Sequence, residues 1–93
     1  MLPVYWTDIA EDCYAALVEY QAQFSIRAVV SLEAKVEDLV ERLKRHHALC
    51  PPSELLPRFR RCTVTEDVSL IYEILPDRIE IVAFVDNRMR PVF

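Results

Sequence analysis

Arginine is the residue whose type and spacing in this sequence best suit chemistry on a ligand. Arg58, Arg60 and Arg61 lie close together in the second half of the chain, and Arg88 and Arg90 lie near its end. A guanidinium group makes paired hydrogen bonds to a carboxylate or a phosphate. If a sheet brings the two groups together, we expect an anion-binding patch for nucleic acid or for an acidic partner segment. A solvated sheet face is the alternative interpretation.

Histidine and cysteine near the middle of the chain raise the question of a metal site. His46 and His47 precede Cys50. Adjacent residues of a helix point about 100° apart, so two neighbouring histidines rarely share one ion. The spacing supplies no fourth ligand. We therefore predict no metal site, and the sequence points to no cofactor.

The three cysteines, Cys13, Cys50 and Cys62, form no CxxC pair. Cys62 follows two arginines, and positive charge lowers the pKa of a thiol, so a reactive cysteine is conceivable. A cysteine on a strand face is more often part of a core. Without a secretory leader, we expect buried or reduced thiols.

Glu73 and Glu80 are a candidate catalytic acid pair, because a predicted hairpin places them across from each other. A glycosidase-like pair needs a substrate cleft, and a chain of this size has little room for one. We interpret both as surface charges of the sheet. The absence of glycine excludes the glycine-built phosphate loops of nucleotide-binding proteins.

Length and composition bound the class of protein. The 93 residues, 53% of them apolar, predict one globular domain over residues 1–93. No apolar run is long enough to span a membrane and the first residues do not resemble a secretory leader, so we expect a cytoplasmic location. Residues 1–41 carry eight acids and two bases, whereas residues 42–93 carry seven acids and nine bases.

The residues that must position the arginines form a β-α-α-β-β-β order. Leu2 to Trp6 reads as an edge strand, and Thr7 and Ser25 are predicted N-caps of two antiparallel helices. Prolines interrupt residues 48–57, and three strands follow, the last two joined as a hairpin at Pro76-Asp77. The first helix is expected to bury the apolar stripe Ile9, Cys13, Ala16, Leu17, Tyr20 and Phe24. The second is expected to bury Val29, Leu32, Val36, Leu39, Val40 and Leu43.

The predicted strands also have assigned faces. Alternation on the first strand of the hairpin region puts Arg58, Arg60 and Cys62 on one face and Arg61 on the other. On the last strand the predicted inner set is Ile79, Ile81, Ala83 and Val85. The predicted fold class is α+β, with an antiparallel sheet packed on one face against a helical hairpin.

Short stretches in this order resemble the RelE/ParE superfamily of bacterial toxin–antitoxin toxins, also called plasmid stabilisation proteins. They are Val4-Tyr5-Trp6-Thr7-Asp8-Ile9-Ala10, Leu39-Val40-Glu41-Arg42-Leu43, Leu70-Ile71-Tyr72-Glu73-Ile74, Asp77-Arg78-Ile79-Glu80-Ile81 and the tail Asp86-Asn87-Arg88-Met89-Arg90-Pro91. The resemblance covers essentially the whole chain. No single stretch is diagnostic, but their order and spacing make the combination fairly specific.

The resemblance implies a toxin that assembles with, and is neutralised by, a cognate antitoxin encoded beside it. RelE-like members of the superfamily cut mRNA on the ribosome, whereas ParE-like members bind DNA gyrase and are not nucleases. Here Ser69 stands where RelE-like nucleases place an arginine, and the tail has Phe93 but no tyrosine after Arg88. We therefore favour the ParE-like function. No membrane partner is expected.

Two alternatives remain open at this point. A RelE-like ribosome-dependent endonuclease would use Arg60 and Arg88 as the cations that stabilise the phosphorane, which makes these two the candidate catalytic residues. A degenerate member would only bind its antitoxin, without toxicity. In either case the arginines Arg58, Arg60, Arg61, Arg88 and Arg90 are the predicted contacts for the antitoxin or the target.

Overall fold

The computed structural model describes residues 1–89 and 93, and the predicted element order is confirmed. Strand β1 spans Val4–Trp6, helix α1 Asp8–Ala22, helix α2 Ile26–Leu43, and strands β2, β3 and β4 span Arg60–Thr63, Val68–Ile74 and Ile79–Asp86. The four strands form one sheet in the order β1-β4-β3-β2. Both hairpin pairings are antiparallel, but β1 pairs with β4 in parallel, so the predicted sheet is antiparallel in two of its three pairings.

Both predicted N-caps are present. The Thr7 hydroxyl oxygen accepts a hydrogen bond from Ala10 N, and the Ser25 hydroxyl oxygen accepts one from Ala28 N. These bonds satisfy amide groups that have no partner inside the helix. Helix α2 buries the predicted stripe, with Leu32 and Leu43 at most 1% exposed.

The predicted stripe of α1 is correct at Cys13 and Leu17, which pack against the core, and wrong at its two ends. Ile9 and Phe24 are 66% and 72% exposed, whereas Ala10 is fully buried and Tyr14 packs against the core. The cause is the junction with the sheet. Both the amide and the hydroxyl of Thr7 donate to Ile81 O, at 3.1 and 2.9 Å, which fixes how the first turn of α1 meets β4. The spacing of apolar residues along α1 carries no information about this contact with β4.

The prediction of which β4 residues face the core is also wrong near the C-terminal end of the strand. The pairing skips from Ile71↔Ala83 to Tyr72↔Ile81, which leaves Val82 as an extra residue, a β-bulge. Beyond the bulge Phe84, not Val85, joins the core cluster with Leu70 and Tyr72. Phe84 packs against Trp6 and Tyr14 with ring centroids 5.2 and 4.8 Å apart.

Two cysteines that we expected to be buried or reduced thiols are joined in the structure. Cys50 and Cys62 form a disulfide with a Cα–Cα distance of 5.3 Å, and Cys13 is free. The proline-containing segment after α2 folds back on β2, where Arg61 N donates to Pro51 O and Pro52 forms a bridge with Arg60. This return brings residues 12 positions apart into contact. None of the helices in the described residues is long and apolar enough to cross a membrane.

Reduction of the Cys50–Cys62 disulfide should lower the free energy of unfolding by about 3 kcal/mol, because the bond limits the unfolded chain over a separation of 12 residues. Urea unfolding with and without dithiothreitol measures the difference, and alkylation followed by mass spectrometry counts the thiols. Cys13→Ser is the control and should show the same difference. Equal stability of the oxidised and reduced protein would contradict the prediction.

Candidate functional site

Strand β2 places Arg60 and Arg61 on opposite faces of the sheet, as the alternation predicts. Cys62 is buried at 3% exposure in the core that the helices cover. Because side chains alternate along a strand, Arg60 lies on the same side as Cys62, and Arg61 lies on the outer face. Arg58 precedes the strand and its guanidinium reaches Glu73, next to the buried Tyr72 on β3. The predicted grouping of Arg58 with Arg60 is therefore wrong.

Arg60 holds the proline-containing segment against the sheet. Its Nη1 donates to Cys50 O at 2.7 Å. The neighbouring Tyr72 hydroxyl donates to His47 O at 2.7 Å and accepts from Cys50 N at 3.3 Å. Burial raises the pKa of Tyr72, while the bond from Cys50 N and the charge of Arg60 act in the opposite direction. Arg60 thus has a structural partner in place.

Arg88, the other candidate catalytic residue, is paired with carboxylates. Its Nε and Nη2 donate to the two oxygens of Asp86 at 3.0 and 2.8 Å, and Asp67 lies 3.8 Å away. These bonds from Arg88 hold the pKa of Asp86 below its usual value, and the same contacts raise the pKa of Arg88. Arg88 lines a groove with Tyr20 and Phe24 at the helix junction, whereas Arg61 lines a different cavity.

Arg61 belongs to a hydrogen-bond network centred on Asn87. Its Nη2 donates to Asn87 Oδ1 at 2.9 Å, and the fully buried Ser69 donates its hydroxyl to the same oxygen at 2.6 Å. The amide nitrogen of Asn87 donates to the carbonyls of Thr65 and Glu66, in the β2–β3 turn. Asn87 therefore fixes the guanidinium of Arg61 relative to that turn. Sequence reasoning missed Asn87 as an organising residue.

A cavity of about 470 Å³ opens beside Arg61. The proline-containing segment forms one wall, with Ser53 and Glu54, and Asn87 and Phe93 contribute to the other. The Ser53 hydroxyl is buried and has no hydrogen-bond partner within the described part of the chain. Among the described residues, one guanidinium, one carboxylate and the hydroxyls of Ser53 and Thr63 thus line the cavity. Neither histidine does.

Arg58 marks the outer end of this face. Its Nε lies 3.5 Å from Glu73, and its guanidinium stacks 4.5 Å from the centre of the Phe59 ring. The Phe59 ring in turn contacts Phe93 edge-on at 5.6 Å. The side chain of Arg58 remains 71% exposed, so its guanidinium is accessible to a partner. Arg90 lies outside the described residues, so the structure does not test its place in the patch.

The remaining sequence candidates have structural roles. Glu73 and Glu80 are cross-strand neighbours, as predicted, and they pair with Arg58 and Arg78 respectively. The nitrogen Nε2 of His47 contacts Lys44 O at the end of α2. Over residues 1–89 and 93, no group of three histidine, cysteine or acidic side chains is arranged to hold a metal ion.

Comparison with known proteins points to one family. Residues 4–91 match the family model described as ParE toxin of type II toxin-antitoxin system, parDE. The fold is similar to that of a chromosomal ParDE toxin–antitoxin system from P. aeruginosa, at 19% identity and a TM-score of 0.75, over 92% of this chain and 96% of that one. None of the curated proteins matches the sequence significantly.

Two further solved structures share the fold. A copper-bound mutant toxin from Helicobacter pylori has 16% identity and a TM-score of 0.71, over 95% of this chain and 97% of that one. A YoeB/ParE toxin from Agrobacterium tumefaciens has 16% identity and a TM-score of 0.66, over 92% of this chain and 99% of that one. At these identities the likeness establishes the fold.

Asn87→Ala should destabilise the protein by about 2–3 kcal/mol, because the buried Ser69 hydroxyl loses its acceptor. The cost of Ser69→Ala should be smaller in the Asn87→Ala background than in the wild type. Urea unfolding of the two single variants and the double variant measures this coupling. Additive costs would show that the two side chains do not act as a unit.

Asp86 should make stability depend on pH at the acidic end. Its pKa is lowered in the folded state, so its contribution is present above about pH 4 and decreases as pH falls below that. Asp86→Asn should flatten the dependence of the unfolding free energy on pH, and Arg88→Gln should flatten it less, because the backbone N–H of residue 88 still donates to Asp86 Oδ1. Denaturant titrations across this pH range test both variants. An unchanged slope in Asp86→Asn would contradict the assignment.

Proposed function

Because the chain belongs to the ParE toxin family of type II toxin–antitoxin systems, we propose that it inhibits growth by binding DNA gyrase and does not cut RNA. A cognate antitoxin neutralises it by covering the surface that the target needs. The family model supports this function over the RelE-like one, since it describes ParE toxins and matches nearly the whole chain.

The observation that carries the proposal is that Arg60 and Arg88, the candidate catalytic cations, are bonded to groups within the protein. Metal-free RNA cleavage needs cations that stabilise the charged transition state and a group that accepts the 2′-hydroxyl proton. Arg60 donates to Cys50 O, and Arg88 is held by Asp86. Arg60 lies beside Cys62 on the inner side of β2, whereas Arg88 lines the groove beside Tyr20 and Phe24.

Ser69 supports the same conclusion. It occupies the position at which the nuclease members of the superfamily place an arginine, and here it is fully buried with its hydroxyl bonded to Asn87. This position therefore presents no cation to a ligand. Phe93 contributes an aromatic ring without a hydroxyl and packs against Phe59.

The outer face around Arg58 and Arg61 is the surface we assign to protein partners. Arg58 is exposed, and Arg61 is oriented by Asn87 at the edge of the cavity. Arginine pairs well with carboxylates in interfaces, and the neighbouring Phe59 ring supplies apolar area. An acidic segment of the antitoxin or of gyrase fits this combination.

A second candidate function, mRNA cleavage on the ribosome, has one observation in its favour. Arg61 and Glu54 line the same cavity of about 470 Å³, which gives one cation and one carboxylate. In this case Arg61, rather than Arg60 or Arg88, would be the cation to replace. A third candidate is a member that binds its antitoxin without being toxic.

Purified protein should inhibit supercoiling of relaxed plasmid by bacterial DNA gyrase and leave mRNA intact in a cell-free translation reaction. Induction in growing bacteria should likewise stop replication and trigger an SOS response without codon-phased mRNA cuts. Arg58→Ala, on the exposed face, should weaken gyrase inhibition, whereas Arg27→Ala on α2 is the matched control. Cuts in mRNA that disappear in Arg61→Ala would overturn the proposal in favour of the nuclease. Harmless induction without gyrase inhibition would overturn it in favour of the non-toxic member.

A further inference from the structure

A groove on the helical side of the molecule has a charge opposite to that of the arginine-bearing face. It encloses about 310 Å³ and is lined by both helices and the end of β1. Its apolar residues are Trp6, Tyr14, Val36 and Val40. Trp6 and Tyr14 meet edge-on with ring centroids 5.3 Å apart, so their rings form a fixed wall on the core.

A row of glutamates borders the groove. Glu33, Glu37 and Glu41 follow one another at four-residue spacing on α2, so they lie on the same side of the helix. Like charges at this spacing destabilise a helix by a few tenths of a kcal/mol per pair. Lys44 binds Glu41 at 2.7 Å, but within the described residues neither Glu33 nor Glu37 has an ion-pair partner within 4 Å. The row therefore carries uncompensated negative charge.

The charge and the shape of the groove together define what it can bind. Carboxylates beside aromatic rings attract lysine and arginine, whose methylene stems pack on the rings while their charged ends reach the carboxylates. Nucleic acid and acidic peptides are repelled by the same row. The apolar wall requires that the ligand also bring apolar side chains.

We propose that this groove binds a basic amphipathic segment of a partner protein, with lysine or arginine facing Glu33 and Glu37 and apolar side chains against Trp6 and Tyr14. The segment belongs to the antitoxin, and this part of the inference rests on the proposed function. The toxin then uses two surfaces of opposite charge, the groove for a basic segment and the Arg58–Arg61 face for an acidic one. Opposite charges at the two ends would fix the direction in which the partner crosses the toxin.

Trp6 is the only tryptophan of the chain, so its fluorescence reports directly on the groove. The probe is a tryptophan-free helical peptide of about 18 residues, long enough to be helical when bound, with leucine on one face and lysine on the other. The control peptide has glutamate in place of each lysine. We expect the lysine peptide to shift the emission of Trp6, with an affinity that falls as salt is raised, and the glutamate peptide to leave it unchanged.

A pair of matched triple variants distinguishes loss of the glutamate row from a general loss of negative charge. Replacing the row by glutamine, in Glu33→Gln, Glu37→Gln and Glu41→Gln, should weaken binding of the lysine peptide about tenfold. The same charge is removed elsewhere by Glu11→Gln, Glu19→Gln and Glu66→Gln, which should leave the affinity within about twofold of the wild type. Circular dichroism and thermal unfolding check that both variants are folded.

The proposal is overturned if the two triple variants lose affinity equally, if the glutamate peptide binds as well as the lysine peptide, or if binding leaves Trp6 emission unchanged. The assay contains no gyrase and measures no toxicity. A negative result here with intact gyrase inhibition rejects the groove alone. A positive result without gyrase inhibition rejects the proposed target alone.

Discussion

The burial of Cys62 in the middle of β2 is the constraint on which the site depends. A strand alternates its side chains, so once Cys62 faces the core, Arg60 must turn inward beside it and Arg61 must turn outward. The inward guanidinium then needs a partner, and it finds Cys50 O on the returning proline-containing segment. The disulfide between Cys50 and Cys62 fixes that return covalently. One strand register thus decides which arginine is structural and which faces the cavity.

Two hydrogen-bond networks of buried polar groups stabilise the sheet in this register. Tyr72 is fully buried, and its hydroxyl both donates to His47 O and accepts from Cys50 N, which connects the end of α2 to the sheet. On the opposite face, Asn87 satisfies Ser69 and orients Arg61. A buried hydroxyl left without a partner costs about 1–3 kcal/mol, more than a typical hydrogen bond contributes, so loss of one member destabilises either network. The hydrogen bonds that stabilise the fold therefore also position the polar residues around the cavity.

Much of the fold could be predicted because its signals are local. Thr7 and Ser25 cap their helices as expected, and the stripe of α2 from Val29 to Leu43 faces the core. The rotation of α1, the bulge at Val82 and the contact between Cys50 and Cys62 could not be predicted. Each depends on a contact between residues far apart in the sequence, such as the bonds from Thr7 to Ile81 O. The facing of Arg60 and Arg61 followed from the alternation along β2, but the contact of Arg58 with Glu73 and the role of Asn87 could not be predicted, because both join residues far apart in the sequence.

The distribution of charge over the surface indicates the function more clearly than any single residue does. The acidic first half of the sequence places Glu33, Glu37 and Glu41 beside the helical groove, and the basic second half places Arg58 and Arg61 on the opposite face of the sheet. A net charge of −4 by itself predicts that the protein repels anionic partners. The folded chain instead presents two local fields of opposite sign, and local fields determine how a partner approaches and orients. Two such fields on the surface of a small domain suit the recognition of a partner protein.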